Sequence, residues 1–507
     1  MSFNQRKIGI IITYFTLAFN ALMGIIYTPF MISKIGDGLY GIYALANSLI
    51  SFITLLDLGF GQTLVRYISK ARAIGDKEEE YKLNGLFLKS YSIIAIFALL
   101  IGIVIIVAYP NLTETTFTKN ETEVFRKVFS ILLINVVVSF PMSVFSATLN
   151  AYEEFLFLKL TSFIVSIINY SSMFYLLYTG YKLIPIVLAT SITNILLQIS
   201  YFMYAIRKLG IRFDFSKPEI NLVEEILKFS FFIFLNLIID FLYSNTDKLI
   251  LGIVSGTVSV SIYSIGIYFS QYFTEMSTAM SSVFMPKIMS LYQNGKTDEI
   301  SNVFNKVGRC QMILLFLVLG GYVSLGREFI ELWVGANYKE SYFIGLIILI
   351  PSIIPLTQNV GITILRAMNI HKYRSYMYMV IAVLNVIISV PLAMKYNGIG
   401  SAIGTSISTF LGQIVFMNCF YNYKVGLNMK EYWKNFICFL GWSVCVIIIC
   451  NFIKRIIYIN TWKTFGLFVA VFSLIYILGY IVFFANSYER KIIFDLLKKY
   501  VRYNRDE

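Results

Sequence analysis

The sequence contains a single histidine, His371, in 507 residues. Metal sites built from several histidines are therefore excluded, and we expect no histidine-based catalytic triad, because His371 lies in a short basic loop where an exposed side chain is expected. A Gly-rich phosphate loop of the Walker type is also missing, so we expect no ATP hydrolysis by this chain. The sequence predicts no metal site, no catalytic residues and no cofactor.

Cysteine and charge are scarce as well. The five cysteines lie in or beside apolar segments and form no CxxC pair, which indicates neither a disulfide framework nor a zinc site. Charged residues make up 14% of the chain, against about 25% in soluble domains. Lys and Arg (42) outnumber Asp and Glu (28), but basic cytoplasmic loops of a membrane protein explain this excess better than nucleic acid does.

Long apolar runs are what the sequence has in abundance. Hydrophobic residues make up 58% of the chain, and runs that can cross about 30 Å of hydrocarbon recur from end to end. We predict an all-α polytopic membrane protein with about fourteen spans, at residues 8–31, 39–62, 89–110, 128–147, 158–179, 184–206, 229–252, 256–280, 310–328, 341–365, 374–394, 399–420, 436–453 and 464–485.

The basic residues predict the orientation of these spans. The long basic segments 66–89, 207–228 and 286–309 and the tail from Glu489 all fall on one side. Because cytoplasmic loops are enriched in Lys and Arg, both termini are predicted to be cytoplasmic. We call this side the predicted inner side.

One stretch of the sequence recurs, with partial identity, in the second half of the chain. Residues 181–199 (YKLIPIVLATSITNILLQI) and 396–414 (YNGIGSAIGTSISTFLGQI) lie 215 positions apart and align without a gap. The identical pairs include the polar pairs Thr190/Thr405 and Gln198/Gln413. Shared hydrophobic composition alone does not explain matches between polar residues. Weaker matches pair Asn169 with Asn385 and, 220 positions apart, Ile68 with Ile288, Gly75 with Gly295 and Glu79 with Glu299.

This repeat predicts two equivalent lobes of six helices, related by an axis along the membrane normal. We place the N-terminal lobe at residues 1–215 and the C-terminal lobe at 216–425. Residues 426–507 hold spans thirteen and fourteen and a basic tail, which have no counterpart in the repeat. Prolines interrupt span four (Pro141) and span ten (Pro351 and Pro355), and such helix breaks in both lobes point to a transport pathway.

Polar residues at membrane depth are the remaining candidates for function. Intramembrane acids are costly, so we expect them to couple transport to a cation or to pair with a partner; they are Asp57, Asp240, Asp247 and Glu275. Asp57 and Glu275 could instead be caps or partners of basic residues at the inner interface. Asp247 cannot face its neighbour Lys248 on one helix, which predicts a partner on another element. Asn20 and Asn236 could line a cleft or join helices by hydrogen bonds.

Several segments resemble flippases of polysaccharide biosynthesis, the Wzx type of the multidrug/oligosaccharidyl-lipid/polysaccharide exporter superfamily. They are LLDLGFGQTLVRYISKARAIGD (55–76), NTDKLILG (245–252), FMPKIMSLY (284–292) and FIELWVGANY (329–338). The resemblance covers the whole chain. It implies two lobes around a cavity that opens alternately to each side of a bacterial plasma membrane.

The substrate implied by the resemblance is a polyprenyl-diphosphate-linked oligosaccharide, moved from the inner to the outer leaflet among membrane lipids. A polysaccharide polymerase and chain-length machinery are possible partners. Such flippases line the cavity with basic residues, whereas here only Lys248 lies inside a predicted span more than one residue from its ends. Arg66, Lys287 and Arg366 flank the inner mouth as candidate phosphate contacts, or they are simply positive anchors.

Two other functions stay open. A cation-coupled drug or metabolite antiporter of the same superfamily would use buried carboxylates such as Asp240, but it would usually stop at twelve spans. A membrane polysaccharide polymerase would lack the internal repeat and would carry a larger outer loop than this chain has.

Overall fold

The computed structural model describes residues 3–216, 220–456 and 459–485. The side chains of residues 3–11 and of some others, Asn236, Asp240 and His371 among them, lie outside the described part. The tail predicted from Glu489 onward lies outside it as well. Within the described residues the chain is helical throughout and contains no strand, which confirms the predicted all-α class.

Seventeen α-helices cover the described ranges. They are α1 (Phe3–Ile35), α2 (Asp37–Thr54), α3 (Phe60–Ile74), α4 (Lys77–Leu112), α5 (Lys119–Ala151), α6 (Phe155–Tyr178), α7 (Leu183–Arg207), α8 (Ile220–Val254), α9 (Gly256–Ser282), α10 (Met285–Gln293), α11 (Thr297–Trp333), α12 (Lys339–Thr357), α13 (Val360–Ala367), α14 (His371–Thr409), α15 (Met417–Phe420), α16 (Met429–Ile456) and α17 (Trp462–Gly479). Short π-helical segments, Phe410–Phe416 and Tyr421–Val425, flank α15, and a third follows α17 at Tyr480–Phe484.

Every predicted span falls on these helices, but predicted span two crosses the break between α2 and α3, and predicted span ten crosses the break between α12 and α13. Eleven helical segments in the described ranges are long and apolar enough to cross a membrane, or twelve when the bent pair 222–239 and 241–254 counts as one span. One of them, Tyr373–Val425, is 53 residues long. A straight helix of that length would measure about 80 Å, and non-helical dihedral angles at Tyr396 and Asn397 divide it into predicted spans eleven and twelve.

The start and end of individual helices follow from local chemistry. Asp76 caps α4 by accepting a hydrogen bond from the backbone N–H of Glu79. Thr118 and Glu121 form a capping box at the start of α5, in which each side chain accepts from the other residue's backbone N–H. These side chains satisfy donors that the first turn of a helix leaves free.

The internal repeat appears in the turns as well as in the sequence. Helix α3 ends at Gly75 in the left-handed conformation, with hydrogen bonds from the N–H of Gly75 to Arg72 O and of Asp76 to Ala71 O. Helix α10 ends with the same two bonds 220 positions later, around Gly295. Because left-handed dihedral angles favour glycine, the Gly75/Gly295 match has a backbone reason.

A side-chain contact is repeated too. Thr193 Oγ1 donates to Asn169 Oδ1 at 3.4 Å, and Ser408 Oγ donates to Asn385 Oδ1 at 3.4 Å. Both pairs link consecutive predicted spans, five to six and eleven to twelve. The same contact at equivalent positions supports a repeat of the fold and not of hydrophobicity alone.

The structure corrects the predicted helix breaks at the three prolines. Helix α5 continues through Pro141, and α12 continues through Pro351 and Pro355. A proline removes one backbone N–H donor and leaves a carbonyl of the preceding turn without its usual partner. Side chains of packed helices can donate to that carbonyl, so the helix need not end at the proline. The chain breaks instead after α2, after α9 and at Gln358–Asn359, between α12 and α13.

The helices form two compact units. The first comprises Met1–Ile265 and Ser375–Ser408, and the second comprises Gly266–Arg374 and Thr409–Glu507. In the first unit, the segment after α7 packs Ile211 and Phe213 against Phe145 of α5. In the second, α16 and α17 pack along α11. The division of the sequence at 215 and 425 remains a prediction.

Candidate functional site: polar groups of the membrane helices

Asp247 is a buried acid at the centre of a polar cluster in the first unit. It lies on α8 and is 4% exposed. Its carboxylate accepts hydrogen bonds from Ser401 Oγ (2.7 Å) and Thr405 Oγ1 (2.7 Å) of α14 and from the hydroxyl of Tyr263 on α9. The predicted partner on another element therefore exists. It is a set of three neutral hydroxyl donors.

Asn385 forms a second layer behind these hydroxyls. It is 1% exposed, and its Oδ1 accepts from Thr405 at 3.3 Å and from Ser389 at 2.9 Å. A buried carboxylate is costly unless its oxygens are hydrogen-bonded. Thr405 has one hydroxyl proton, and its shorter contact, 2.7 Å, is with Asp247, so the Asn385 amide oxygen is the weaker, competing acceptor. We call Asp247, Tyr263, Asn385, Ser401 and Thr405 the Asp247 cluster.

Lys248 follows Asp247 in the sequence, and the two opposite charges attract each other although their side chains form no direct ion pair. The Lys248 side chain is partly buried, and it makes no hydrogen bond with the described residues. Because hydroxyls satisfy the oxygens of the Asp247 carboxylate, the Lys248 ammonium keeps its hydrogen-bond donors for an anion. An unpaired ammonium within a membrane helix is costly and usually faces a polar space or a partner.

Asp57 lies where predicted span two is broken. A short 3₁₀ turn, Leu55–Asp57, follows α2, and Leu58 and Gly59 then adopt left-handed dihedral angles before α3 begins. The Asp57 carboxylate accepts a hydrogen bond from the Tyr91 hydroxyl at 2.6 Å and faces the backbone N–H groups of Gly59 and Gly61. Both expectations for Asp57, a role in coupling and a role as a cap or partner at the inner interface, stay predictions.

The predicted phosphate contacts outside the spans are all exposed. Arg66 lies on α3, with its guanidinium 4.3 Å from the centre of the Phe229 ring of α8. Lys287 and Arg366 lie in the second unit, on α10 and α13, which pack against each other. The structure thus brings together the helices that carry Lys287 and Arg366.

Of the other predicted site residues, two have side chains that the structure describes and two do not. Glu275 is exposed on α9 and accepts a hydrogen bond from Gln271 at 3.1 Å. Asn20 is half-buried on α1, and its backbone carbonyl accepts from the Tyr170 hydroxyl at 3.4 Å. The side chains of Asp240 and Asn236 lie outside the described part. Among the described residues no three His, Cys, Asp or Glu side chains form a group that could hold a metal ion.

Sequence reasoning missed the hydroxyl donors. Tyr91, Tyr263 and Ser401 were not among the predicted site residues, although each donates to a carboxylate. A signal existed for part of the cluster, because Thr405 and Asn385 belong to the internal repeat. No such signal exists for Tyr263, which meets Asp247 only because α9 packs back along α8.

Comparisons with known proteins agree with this fold. The family description "Polysaccharide biosynthesis protein" matches residues 7–292, more than half of the chain. An uncharacterized membrane protein, EpsK, from Bacillus subtilis (strain 168) is 21% identical over 489 residues, which cover 93% of this chain and 94% of EpsK. The probable flippase AglR from Haloferax volcanii is 21% identical over 396 residues, which cover 78% and 79% of the two chains.

A solved structure titled "Lipid II flippase MurJ, inward closed conformation" superimposes with a TM-score of 0.75 at 16% sequence identity. The superposition covers 96% of this chain and 99% of that one. At this identity the likeness shows the fold, a polytopic helical membrane protein. Together with the match over residues 7–292, it confirms the resemblance seen in the sequence: the chain belongs to the polysaccharide biosynthesis protein family.

Proposed function

We propose that this protein is a flippase that moves a polyprenyl-diphosphate-linked oligosaccharide from the inner to the outer leaflet of a bacterial plasma membrane. The family match and the flippase fold support the transport of a lipid-linked substrate. Both termini face the cytoplasm in this proposal, as the distribution of Lys and Arg predicts. The product would be released to a polysaccharide polymerase and its chain-length machinery.

The observation on which the proposal rests is the charged Lys248 side chain on a membrane helix, which forms no direct ion pair with the described residues. A diphosphate head group that crosses about 30 Å of hydrocarbon needs a countercharge, because an unshielded charge there costs several kcal/mol or more. Lys248 supplies an ammonium on a membrane helix that forms no direct ion pair with the described residues. The three hydroxyls on Asp247 satisfy its carboxylate oxygens, so the acid attracts Lys248 without a direct contact that would block an anion.

The basic residues outside the spans extend this role to the predicted inner side. Arg66, Lys287 and Arg366 are exposed, and guanidinium groups bind phosphate oxygens in a bidentate manner. We propose that they meet the diphosphate first and that Lys248 receives it next. Movement through alternating access of two lobes is part of the same proposal and follows from the internal repeat.

The test uses purified protein in vesicles that contain a fluorescent polyprenyl-diphosphate oligosaccharide. The wild type should move the probe to the outer leaflet, where a membrane-impermeant reagent quenches it. Lys248→Ala should reduce the rate about tenfold or more, since it removes a charge-assisted contact to phosphate. Lys248→Arg should retain part of the activity because the charge remains.

Lys395→Ala is the matched control. Lys395 also lies on a membrane helix, but it is exposed and lies over the ring of Tyr396 at 5.1 Å. Equal rates for wild type and Lys248→Ala would contradict the role of Lys248. No movement of the lipid by the wild type, together with uptake of a small cationic compound, would replace the flippase by the antiporter.

A further inference from the structure

The break in predicted span two is held by one buried tyrosine. Tyr91 of α4 is fully buried between the rings of Phe60 and Phe140, with ring-centre distances of 6.0 and 6.4 Å. Its hydroxyl donates to Asp57 Oδ1 at 2.6 Å. The carboxylate in turn faces the first N–H groups of α3. Tyr91 therefore holds the Asp57 carboxylate beside the start of α3, and its own buried side chain has no surface from which to touch a substrate.

The second half of the chain contains an equivalent pair at the equivalent positions. Ser277 and Gln311 each lie 220 positions after Asp57 and Tyr91, the same offset that relates the Gly75 and Gly295 turns. Gln311 is fully buried on α11, and its Nε2 donates to the Ser277 carbonyl at 3.0 Å and to Ser281 Oγ at 2.8 Å. Because a carbonyl can only accept, the Gln311 amide must present its nitrogen there.

Each pair stands before a short helix that carries a predicted phosphate contact. Helix α3 follows the break next to Asp57 and carries Arg66, while α10 follows the end of α9 and carries Lys287. About 10 Å of helix separates the break at Gly59 from Arg66, so a rotation of 10° there would displace Arg66 by about 2 Å. Such a displacement exceeds the tolerance of a bidentate phosphate contact.

We propose that Tyr91 and Gln311 are positioning residues that lock these two breaks and thereby hold Arg66 and Lys287 in place for a diphosphate. The proposal rests on the proposed function for the identity of the anion. We call the Tyr91–Asp57 hydrogen bond the first lock and the Gln311–Ser277 hydrogen bond the second lock. The first lock is charge-assisted, whereas the second joins neutral groups, so the first hydrogen bond is the stronger of the two. The broken span in the first half is accordingly held more firmly.

Tyr91→Phe tests the first lock, because it removes the hydroxyl and keeps the ring between Phe60 and Phe140. Hydrogen–deuterium exchange of the full-length protein should show faster exchange in α3. In the vesicle assay the lipid concentration at half-maximal rate should rise roughly three- to tenfold, as expected for the loss of one hydrogen bond. The maximal rate should change less, since Tyr91 does not touch the lipid.

Tyr109→Phe is the matched control. Tyr109 lies on the same helix and is buried, but its hydroxyl has no hydrogen-bond partner among the described residues. It should match the wild type in both measurements. A role through Arg66 further predicts that Arg66→Ala adds little to the defect of Tyr91→Phe, since both changes remove the same contact.

Gln311→Leu tests the second lock and keeps the proposal open to refutation if Tyr91→Phe fails to fold. It should accelerate exchange in α10 and leave α3 unchanged. If Tyr91→Phe and Gln311→Leu both match Tyr109→Phe in exchange and in half-maximal concentration, the positioning role is refuted. A wild type that exchanges as expected but moves no lipid would instead refute the proposed function and leave the two locks intact.

Discussion

At the scale of single residues, the cost of a buried charge explains the composition of the Asp247 cluster. Three hydroxyls donate to one carboxylate, and the Asn385 amide oxygen lies 3.3 Å from the Thr405 hydroxyl. The first half of the chain contains the matching residues Asn169 and Thr190, which have no acid among their hydrogen-bond partners in the described residues. Within that part of the chain, both copies of the repeat contain these polar residues, and the second copy meets a carboxylate.

Thr405→Val should destabilise the protein by about 1–3 kcal/mol, because it removes one donor from a buried carboxylate and leaves the shape of the side chain nearly unchanged. Thr190→Val is its control at the equivalent position of the repeat, where the hydroxyl donates only to the Val187 carbonyl of its own helix. Thermal unfolding in detergent should show a lower Tm for the first variant and little change for the second. Equal shifts would mean that the carboxylate does not depend on Thr405.

The sequence showed that Thr405 and Asn385 recur but could not show which copy meets an acid. That contact depends on how α8 packs against α14, and no local pattern encodes it. The same holds for Tyr91, since a tyrosine in a membrane helix has no signature for the carboxylate that it reaches 34 positions away. The acids themselves were predictable, because an ionisable residue in an apolar run stands out by its cost.

At the scale of elements, the packing of α2 against the start of α9 depends on glycine. A Cβ atom at Gly41 would lie 1.9 Å from the backbone carbonyl oxygen of Thr257. Close by, Thr257 Oγ1 donates to Glu121 Oε1 at 2.5 Å, and a Cβ at Gly38 would lie 3.1 Å from the same oxygen. Small residues permit such close approach between membrane helices.

Gly41→Ala should destabilise the protein by about 1–3 kcal/mol, because the added methyl group forces α2 away from α9. Gly441→Ala on α16 is the matched control, since a Cβ there meets no atom within 4 Å. In that open position alanine favours the helix by about 0.5–1 kcal/mol over glycine. The two variants should therefore shift the Tm in opposite directions, and a shift in the same direction would contradict the close contact.

The positions of most helices could be predicted, because hydrophobic length determines them, and Gly75 was visible as a residue that the repeat matches with Gly295. The positions of the helix breaks could not be predicted from the prolines. Helices α5 and α12 continue through their prolines, whereas the break before α3 occurs at Leu58 and Gly59, which left-handed dihedral angles distinguish.

At the scale of the whole molecule, α16 and α17 are integrated into the second unit although they have no counterpart in the repeat. Arg309 of α11 donates to Asn435 Oδ1 at 2.8 Å and to the carbonyl of Phe484 at 3.1 Å. At the other end of α11, Lys454 lies 2.6 Å from Glu328 and also donates to the Ser324 carbonyl. The two helices are thus tied to both ends of α11 by polar contacts.

Lys454→Met tests whether α16 stabilises the second unit through this ion pair. The side chains of Lys454 and Glu328 are 28% and 21% exposed, so removal of the ammonium leaves a largely buried carboxylate without its partner. A fully buried pair would cost about 3–5 kcal/mol, and partial exposure reduces the expected loss to about 1–3 kcal/mol.

Lys127→Met is the control, because its pair with Glu123 is 56% and 65% exposed and should contribute under about 1 kcal/mol. Thermal unfolding followed separately by tryptophan fluorescence should show the loss for Lys454→Met, since Trp333, Trp433, Trp442 and Trp462 all lie in the second unit. Equal Tm values for the two variants would mean that α16 is held by apolar packing alone.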